Sequence, residues 1–368
     1  MARPDIIVVA ASARGVEALS RLAADLPEDL AAAVFVVLHV SASSPSVLPA
    51  ILNRRGPLPA RHAEDGEPIK NGRIYVARPD HHLLVSPGTV RLGRGPREHG
   101  LRPAADTLFL SAAAAYGPRV VGVVLSGTLD DGTAGLVAIK ARGGVAVVQD
   151  PDDALFPGMP RSALGQDHPD LILPLAEIGS ALVKLTKRFP DPDKPSGFRP
   201  EEPSGSGQEE AGMSDEIDAE LSWSVPNLEV APTLEPPFGS PSGYTCPECS
   251  GALWEIVDGD LVRFRCRVGH GYGADSLDAE QARALEAALW TAVRALEERA
   301  ALSTRMADRA RQQRHPHTAA RFQNRAVEAE RRANEVRAVL RATQAIGGVI
   351  EGSIDEADAG PSPVAGES

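Results

Sequence analysis

Short apolar runs alternate with amphipathic stretches over residues 1–190, and this alternation restricts the fold more than any other feature of the sequence. Patterns that are typical of buried strands lie at residues 5–10, 33–38, 120–125 and 144–148, and each is apolar apart from Asp5 at the start of the first. Apolar residues at helical spacing follow at residues 16–24, 46–52, 106–116, 133–142 and 176–187. Strands that alternate with helices predict a mainly parallel sheet. Because the strands are apolar throughout, we expect a doubly wound α/β domain with helices on both faces.

Short alternating strands are also predicted between these runs, at residues 72–77, 82–86 and 89–92. The character of the chain then changes. Residues 191–242 are dense in Pro, Gly and Ser, which predicts a disordered acidic linker. A zinc-ribbon-like module is expected at residues 243–275, an α-helical hairpin at 276–345 and a flexible tail at 346–368.

The hairpin prediction depends on an apolar seam and a helix-breaking tripeptide. His315-Pro316-His317 divides the helical region in two. Behind the break, steps of four and three residues predict one buried seam of coiled-coil spacing, formed by Phe322, Ala326, Ala329, Ala333, Val336 and Leu340. A similar seam is predicted in front of the break, formed by Leu285, Leu289, Ala292 and Leu296. Ser276 is expected to cap the start of the first helix.

Charge and hydropathy exclude several classes of function. The formal net charge of −12 argues against nucleic-acid binding as the main task. No apolar stretch approaches the roughly 20 residues that a membrane-spanning helix needs, so no membrane insertion is expected. The N-terminus does not have the pattern of a signal peptide. We therefore expect a cytoplasmic protein.

All three cysteines lie in one short segment, which favours metal binding over disulfides. Cys246 and Cys249 form a C-x2-C pair, and Cys266 and His270 form a C-x3-H pair. Four ligands of these types suit tetrahedral zinc, and a closed set of four indicates a structural site. Two alternatives stay open: a metal-free small β fold with reduced cysteines, and a redox role for the C-x2-C pair.

Three short segments each place chemically able side chains at the end of a predicted strand. Ser12 follows the first strand, His39 ends the second, and Asp130 and Asp131 follow the strand at 120–125. In open α/β sheets, ligands bind beyond the carboxyl ends of the strands. Ser, His and Asp supply a nucleophile, a base and an orienting acid. From position alone, Ser12 could equally be a helix cap, His39 a solvated histidine and the two aspartates part of an ordinary turn.

Six ordered blocks resemble the CheB methylesterase family and extend over nearly all of residues 5–185. They are ASARGVEAL at 11–19, VVLHV at 36–40, GRIYVARPDHHLLV at 72–85, RPAADTLF at 102–109, LSGTLDDGTAGL at 125–136 and QDPDDALFPGMP at 149–160. The resemblance implies that Ser12 is the nucleophile, His39 the base and Asp131, which directly precedes glycine, the orienting acid. It implies no cofactor for catalysis.

The resemblance also implies the reaction and its partners. The family hydrolyses glutamate methyl esters on chemoreceptor signalling helices and deamidates certain glutamines. The expected partners are therefore methyl-accepting chemoreceptor-like proteins, with a cognate methyltransferase as a further candidate. Two other functions stay open: a catalytically weak scaffold, and an esterase for a different protein or small-molecule ester.

Three features depart from the family pattern. Arg14 replaces the glycine that usually follows Ser-[TA], and Thr128-Leu129 replaces the Met-Gly before the aspartates. Glycine permits backbone geometry that other residues rarely adopt, so both substitutions bear on activity. Family members usually begin with a phosphoacceptor receiver domain, whereas the first predicted strand here begins at residue 5. We therefore expect control by some other means.

Overall fold

The computed structural model describes residues 3–43, 45–167, 169–187, 239–259 and 261–347. The described residues divide into two compact units, with the division after Leu277. The predicted linker lies almost wholly outside the described residues, as does most of the predicted tail. The predicted domain boundaries stay a prediction.

A seven-stranded sheet forms the centre of the first unit, and every pairing in it is parallel. Its strands are β1 Ile6–Ala11, β2 Ala33–Leu38, β3 Ala60–His62, β4 Arg73–Val76, β7 Val120–Val124, β8 Val145–Gln149 and β9 Leu171–Leu173. The spatial order is β3-β4-β2-β1-β7-β8-β9. The chain leaves β1 towards one edge and later returns to its other side, so the switch in strand order lies between β1 and β7. Strands β5 His82–Ser86 and β6 Thr89–Gly93 form a separate antiparallel hairpin.

Helices cover both faces of the sheet, which confirms the doubly wound α/β prediction. One face packs against α1 Gly15–Asp25, α2 Leu48–Arg55 and α6 Leu175–Lys187. The other packs against α3 Ala105–Tyr116, α4 Thr133–Ala141 and α5 Gly158–Asp167. Strand β1 contributes side chains to both cores: Ile6, Val8 and Ala10 pack into one, and the alternate residues pack into the other. Every side chain of this strand is therefore apolar, because neither face meets water.

Sequence periodicity missed β3, β9 and α5. The two strands have only three residues each, which is too short for an apolar run to stand out. Helix α5 begins inside the sequence FPGMP, where glycine and proline indicate a loop. Proline is tolerated in the first turn of a helix, because an N–H there has no acceptor in the helix anyway.

The first unit also contains a small antiparallel sheet, which we call the cysteine module (residues 240–273). Its strands are β10 Ser240–Thr245, β11 Ala252–Asp258, β12 Leu261–Cys266 and β13 Gly271–Gly273. Its core is small and is formed by Cys246, Leu253, Phe264, Cys266, Tyr272 and Leu277.

The second unit contains two long helices, α7 Ala274–Gln312, whose first turn belongs to the first unit, and α8 Pro316–Gly347. Proline begins α8, as the helix break predicted. In the predicted seam of α8, Ala326, Ala329, Ala333 and Leu340 are buried. Among the described residues, no helix is long and apolar enough to span a bilayer.

The seam predicted for α7 is wrong at its start. Leu285 is 53% exposed, whereas Val293, Ala300 and Ala307, at heptad spacing, are buried. One further heptad step back from Val293 reaches Glu286, so Leu285 lies at the edge of the seam. Ser276 is not the residue before α7, because the helix begins two residues earlier; from inside the first turn its Oγ accepts the N–H of Gly273 at 3.0 Å.

Candidate active site

Ser12 and His39 lie side by side at the carboxyl ends of two paired strands. Strands β1 and β2 pair in register up to Ala11 and Leu38, and the two candidate residues come next in each strand. The backbone continues this pairing, because the N–H of His39 donates to the carbonyl of Ala11 at 3.2 Å. Neighbouring strands are about 4.8 Å apart, so the sheet itself brings the two side chains together.

Asp131 completes the cluster from the third strand end. It follows β7, which pairs with β1 on the side opposite β2, so the cluster lies at the switch in strand order. The Nε2 atom of His39 lies 2.6 Å from Oδ2 of Asp131, and both side chains are buried. A carboxylate only accepts, so Nε2 carries the proton and Nδ1 of His39 is left as the basic nitrogen. In the described part of the chain the Ser12 hydroxyl makes no hydrogen bond, a looseness that is common in unliganded active sites.

The N-terminus of α3 holds the Asp131 carboxylate in place. Oδ2 accepts the N–H of Ala105 at 2.7 Å, and Oδ1 accepts the N–H of Asp106 at 2.9 Å. Burial raises the pKa of Asp131, but the hydrogen bond from His39, the positive charge of His99 and the α3 amides outweigh it and lower this pKa overall. Asp131 is therefore a fixed anion that faces the imidazole.

Arg14 and Leu129 both occupy left-handed backbone conformations. Arg14 has φ 58° and ψ 15° and precedes the first residue of α1, and Leu129 has φ 64°. These are the positions where the resembling family has glycine. The backbone shape that glycine favours is therefore kept here by larger residues, at a conformational cost of about 1–2 kcal/mol each.

Gly127 provides the close packing behind Ser12. A Cβ atom at this position would overlap Sδ of Met159 and lie 2.9 Å from Cβ of Ser12. The Gly127 N–H donates to the carbonyl of Phe156, and the Gly127 carbonyl accepts the N–H of Met159, both at 2.9 Å. The backbone of Gly127 thus holds the segment 149–160 beside Ser12, and the contact is this close because Gly127 has no side chain.

The first half of the chain is similar to known proteins. A CheB methylesterase family model matches residues 7–182. A relative from Pyrococcus horikoshii, named protein-glutamate methylesterase/protein-glutamine glutaminase, is 34% identical over 182 residues, which are 48% of this chain and 50% of the relative. A relative from Leptospira interrogans, with the same two activities in its name, is 36% identical over 182 residues, which are 49% of this chain and 94% of the relative. This chain belongs to the CheB methylesterase family.

The chain spans about half the length of the Pyrococcus horikoshii relative. Among solved structures, the CheB methylesterase catalytic domain of Thermotoga maritima is 30% identical, with a TM-score of 0.48, and the match covers 50% of this chain and 100% of that domain.

Behind the CheB-type cluster lies a buried polar network that sequence reasoning missed. Nε2 of His99 lies 2.7 Å from Asp106, and Nδ1 lies 3.2 Å from Asp130. Burial lowers the pKa of His99, but the hydrogen bonds and charges of these two carboxylates raise it well above its usual value. His99 is therefore an imidazolium between two acids. Asp106 belongs to the RPAADTLF block, but no sequence signal marked His99.

The four predicted metal ligands come together in the cysteine module. All four ligand atoms lie within 4.8 Å of one another. Sγ of Cys249 and Sγ of Cys266 are 3.6 Å apart, and Nδ1 of His270 lies 3.6 Å from Sγ of Cys246. Two thiolates each about 2.3 Å from a tetrahedral zinc would lie about 3.8 Å apart, so the donor set and its spacing fit zinc.

Proposed function

We propose that this chain hydrolyses glutamate methyl esters on chemoreceptor signalling helices and also deamidates glutamine side chains there. The observation that carries the proposal is the buried pair of His39 and Asp131, joined at 2.6 Å next to Ser12 at the switch in strand order. The relatives that match the first half of the chain are named for both activities. The proposed partners are methyl-accepting receptors and the methyltransferase that forms the esters.

The proposed reaction is a two-step acyl transfer. Oγ of Ser12 attacks the ester carbonyl while Nδ1 of His39 takes the hydroxyl proton, and Asp131 stabilises the resulting imidazolium. When the tetrahedral intermediate collapses, the carbon–oxygen bond to the methoxy group breaks and His39 protonates the leaving methanol. Water, activated by His39, then hydrolyses the acyl-enzyme and frees Ser12. With a glutamine substrate the same steps release ammonia.

The oxyanion of this intermediate needs free N–H donors near Ser12. The N–H of Ser12 is already bound to the carbonyl of Ser126, and that of Gly127 is bound to Phe156. Within the described residues the N–H of Ala13 has no acceptor, and it follows the nucleophile directly. We assign it to the oxyanion, where one donor is worth roughly 3–4 kcal/mol of barrier.

Methanol release from membranes with tritium-labelled receptor methyl esters tests the proposal. We expect release by the wild-type chain, loss of release in Ser12→Ala, and normal release in Ser43→Ala, a matched change at an exposed serine. Ser12-dependent cleavage of p-nitrophenyl acetate without methanol release would favour an esterase for another substrate. No cleavage of either ester would favour a scaffold.

We also propose that Cys246, Cys249, Cys266 and His270 hold a structural zinc ion. The support is the closed set of four ligand types and their spacing. Such an ion would link the β10–β11 turn to the β12–β13 turn of a module whose apolar core is very small. We expect about one zinc per chain by elemental analysis, and a clear loss in His270→Gln but not in His315→Gln, an exposed histidine on the hairpin. A wild-type chain purified without zinc would contradict the proposal.

A further inference from the structure

The cysteine module packs directly against the loop that precedes α3. The N–H of His99 donates to the carbonyl of Gly271 at 2.7 Å, and the N–H of Gly271 donates to the carbonyl of Arg97 at 3.2 Å. Gly271 of strand β13 therefore forms a parallel β-bridge with Glu98 of the α/β domain. Backbone pairing of this kind fixes the register of the two surfaces.

A buried ion pair fastens the same contact. Nη1 of Arg265 lies 2.5 Å from Oε1 of Glu98, Nη2 lies 3.1 Å from Oε2, and the two side chains are 4% and 5% exposed. Nη1 also donates to the carbonyl of Gly269 at 2.8 Å. Burying two charges costs desolvation free energy, and only a bidentate geometry of this kind offsets that cost. The pair therefore specifies one docked position.

The docked module reaches the turn that carries Asp131. Oδ2 of Asp130 accepts the N–H of Asp275 at 3.2 Å and the N–H of Ser276 at 3.4 Å, in the first turn of α7. A carboxylate is favoured at a helix N-terminus by the free N–H groups and the helix dipole. A Cβ atom on Gly273 would overlap the Asp130 carboxylate, so this approach requires glycine. Asp130 thus caps a helix that belongs to another part of the sequence.

His99 joins this cap to the catalytic cluster. Its Nδ1 lies 2.8 Å from Oγ of Ser276 and 3.2 Å from Asp130, and its Nε2 lies 2.7 Å from Asp106 and 3.7 Å from Oδ1 of Asp131. All of these groups are at least nine-tenths buried. A contiguous set of hydrogen bonds and ion pairs therefore runs from the first turn of α7 to Asp131.

We infer that Asp130 and His99 are positioning residues for the proposed triad, and that the docked cysteine module holds the turn that aims Asp131 at His39. The inference rests on the proposed function. It also explains how the turn tolerates Leu129 in a left-handed conformation that leucine disfavours, because contacts from outside the turn fix the next residue in place. The module is, in this view, a structural part of the active site.

The test breaks the docking pair in the full-length chain. Arg265→Gln leaves Glu98 buried without its partner, whereas the double change Glu98→Gln/Arg265→Gln removes both charges and keeps a hydrogen-bonded amide pair. Arg267→Gln, at an exposed arginine of the same module, is the matched control. The readouts are kcat and KM for the labelled receptor esters, zinc content, and the low-field proton resonance of the His39–Asp131 hydrogen bond, identified by its loss in His39→Gln.

We expect Arg265→Gln to lower kcat by about 10²-fold, because a displacement of about 1 Å costs that much, with KM changed less than threefold. The low-field resonance should shift or vanish, the double variant should recover part of kcat, and the control should match wild type. An unchanged kcat and resonance in Arg265→Gln would overturn the inference.

Asp130→Asn provides a second test that leaves the module itself unaltered, and it decides the matter if Arg265→Gln loses zinc or helical content. We expect a kcat about tenfold lower, on the order of one lost charge-assisted hydrogen bond, and an altered resonance. Normal values of both would refute the inference. A wild type that cleaves neither ester would refute the proposed function instead, and the resonance in Arg265→Gln and Asp130→Asn would then test the positioning alone.

Discussion

Replacing Asp131 by asparagine tests the proposed triad most directly, since the shape of the side chain is kept and only one acceptor is lost. In the wild type, Oδ2 accepts from His39 and from the N–H of Ala105, and Oδ1 accepts from the N–H of Asp106. An asparagine must place its NH2 group at one of these two sites. Each orientation leaves at least one buried N–H of α3 without an acceptor, at a cost of about 1–3 kcal/mol.

The two orientations differ in what they impose on His39. If the NH2 group faces Asp106, both amide hydrogens and that backbone N–H lose their partners. If it faces His39, the imidazole can accept one amide hydrogen through Nε2, and the second amide hydrogen and the N–H of Ala105 are left unpaired. Both orientations keep two hydrogen bonds, but the second leaves one fewer buried donor hydrogen unpaired, a difference worth about 1–3 kcal/mol, so it dominates. It moves the imidazole proton to Nδ1, the nitrogen that must take the proton from Ser12.

We therefore expect Asp131→Asn to lower kcat for methanol release by about 10³- to 10⁴-fold, the range seen when a triad acid is replaced and the histidine adopts the wrong tautomer. KM should change little, because the carboxylate is buried and does not touch the substrate. Asp29→Asn, at an exposed aspartate, is the matched control. A decrease of less than tenfold in Asp131→Asn, with unaltered thermal unfolding, would refute the assignment of Asp131 as the orienting acid.

Three further predictions concern the backbone, the pH dependence and the packing of the site. Arg14→Gly should stabilise the fold by about 0.5–1 kcal/mol relative to Arg14→Ala, because glycine avoids the left-handed penalty of about 1–2 kcal/mol but has more unfolded-state entropy; equal melting temperatures of the two variants would contradict this. The pKa of His99 is raised well above 6.5, so the folded state keeps a proton that the unfolded state loses above that pH. The free energy of unfolding should therefore fall as pH rises from 6.5 through the folded-state pKa, by at most about 1.4 kcal/mol per pH unit, and denaturant titrations of His99→Gln should lack this slope. Gly127→Ala should lower kcat for methanol release at least tenfold, because the added methyl group displaces Ser12 or segment 149–160. A wild-type rate would show instead that the neighbouring residues accommodate the methyl group without moving Ser12.

The main sheet and the strand-end cluster were predictable from local patterns. Apolar runs of five or six residues in alternation with amphipathic stretches require a parallel sheet with two covered faces, and the structure has this sheet. Carboxyl ends of parallel strands meet at one edge, so Ser12, His39 and the aspartate turn had to lie near one another. The three-residue strands and α5 escaped prediction, because their packing partners define them more than their own sequence does.

The sequence by itself determined the α/β domain, the family, the candidate ligands of the cysteine module and the break between the two long helices. Each of these features depends on residue type and short-range spacing, which act locally along the chain. Only the tertiary structure decided that Glu98 meets Arg265 and that Asp130 caps α7, because these contacts join residues more than 140 positions apart. They depend on the shapes of two folded surfaces, and no periodicity records them. The structure likewise showed that Arg14 and Leu129 adopt the left-handed conformation that glycine favours, because the surrounding packing, and not the residue itself, fixes that conformation.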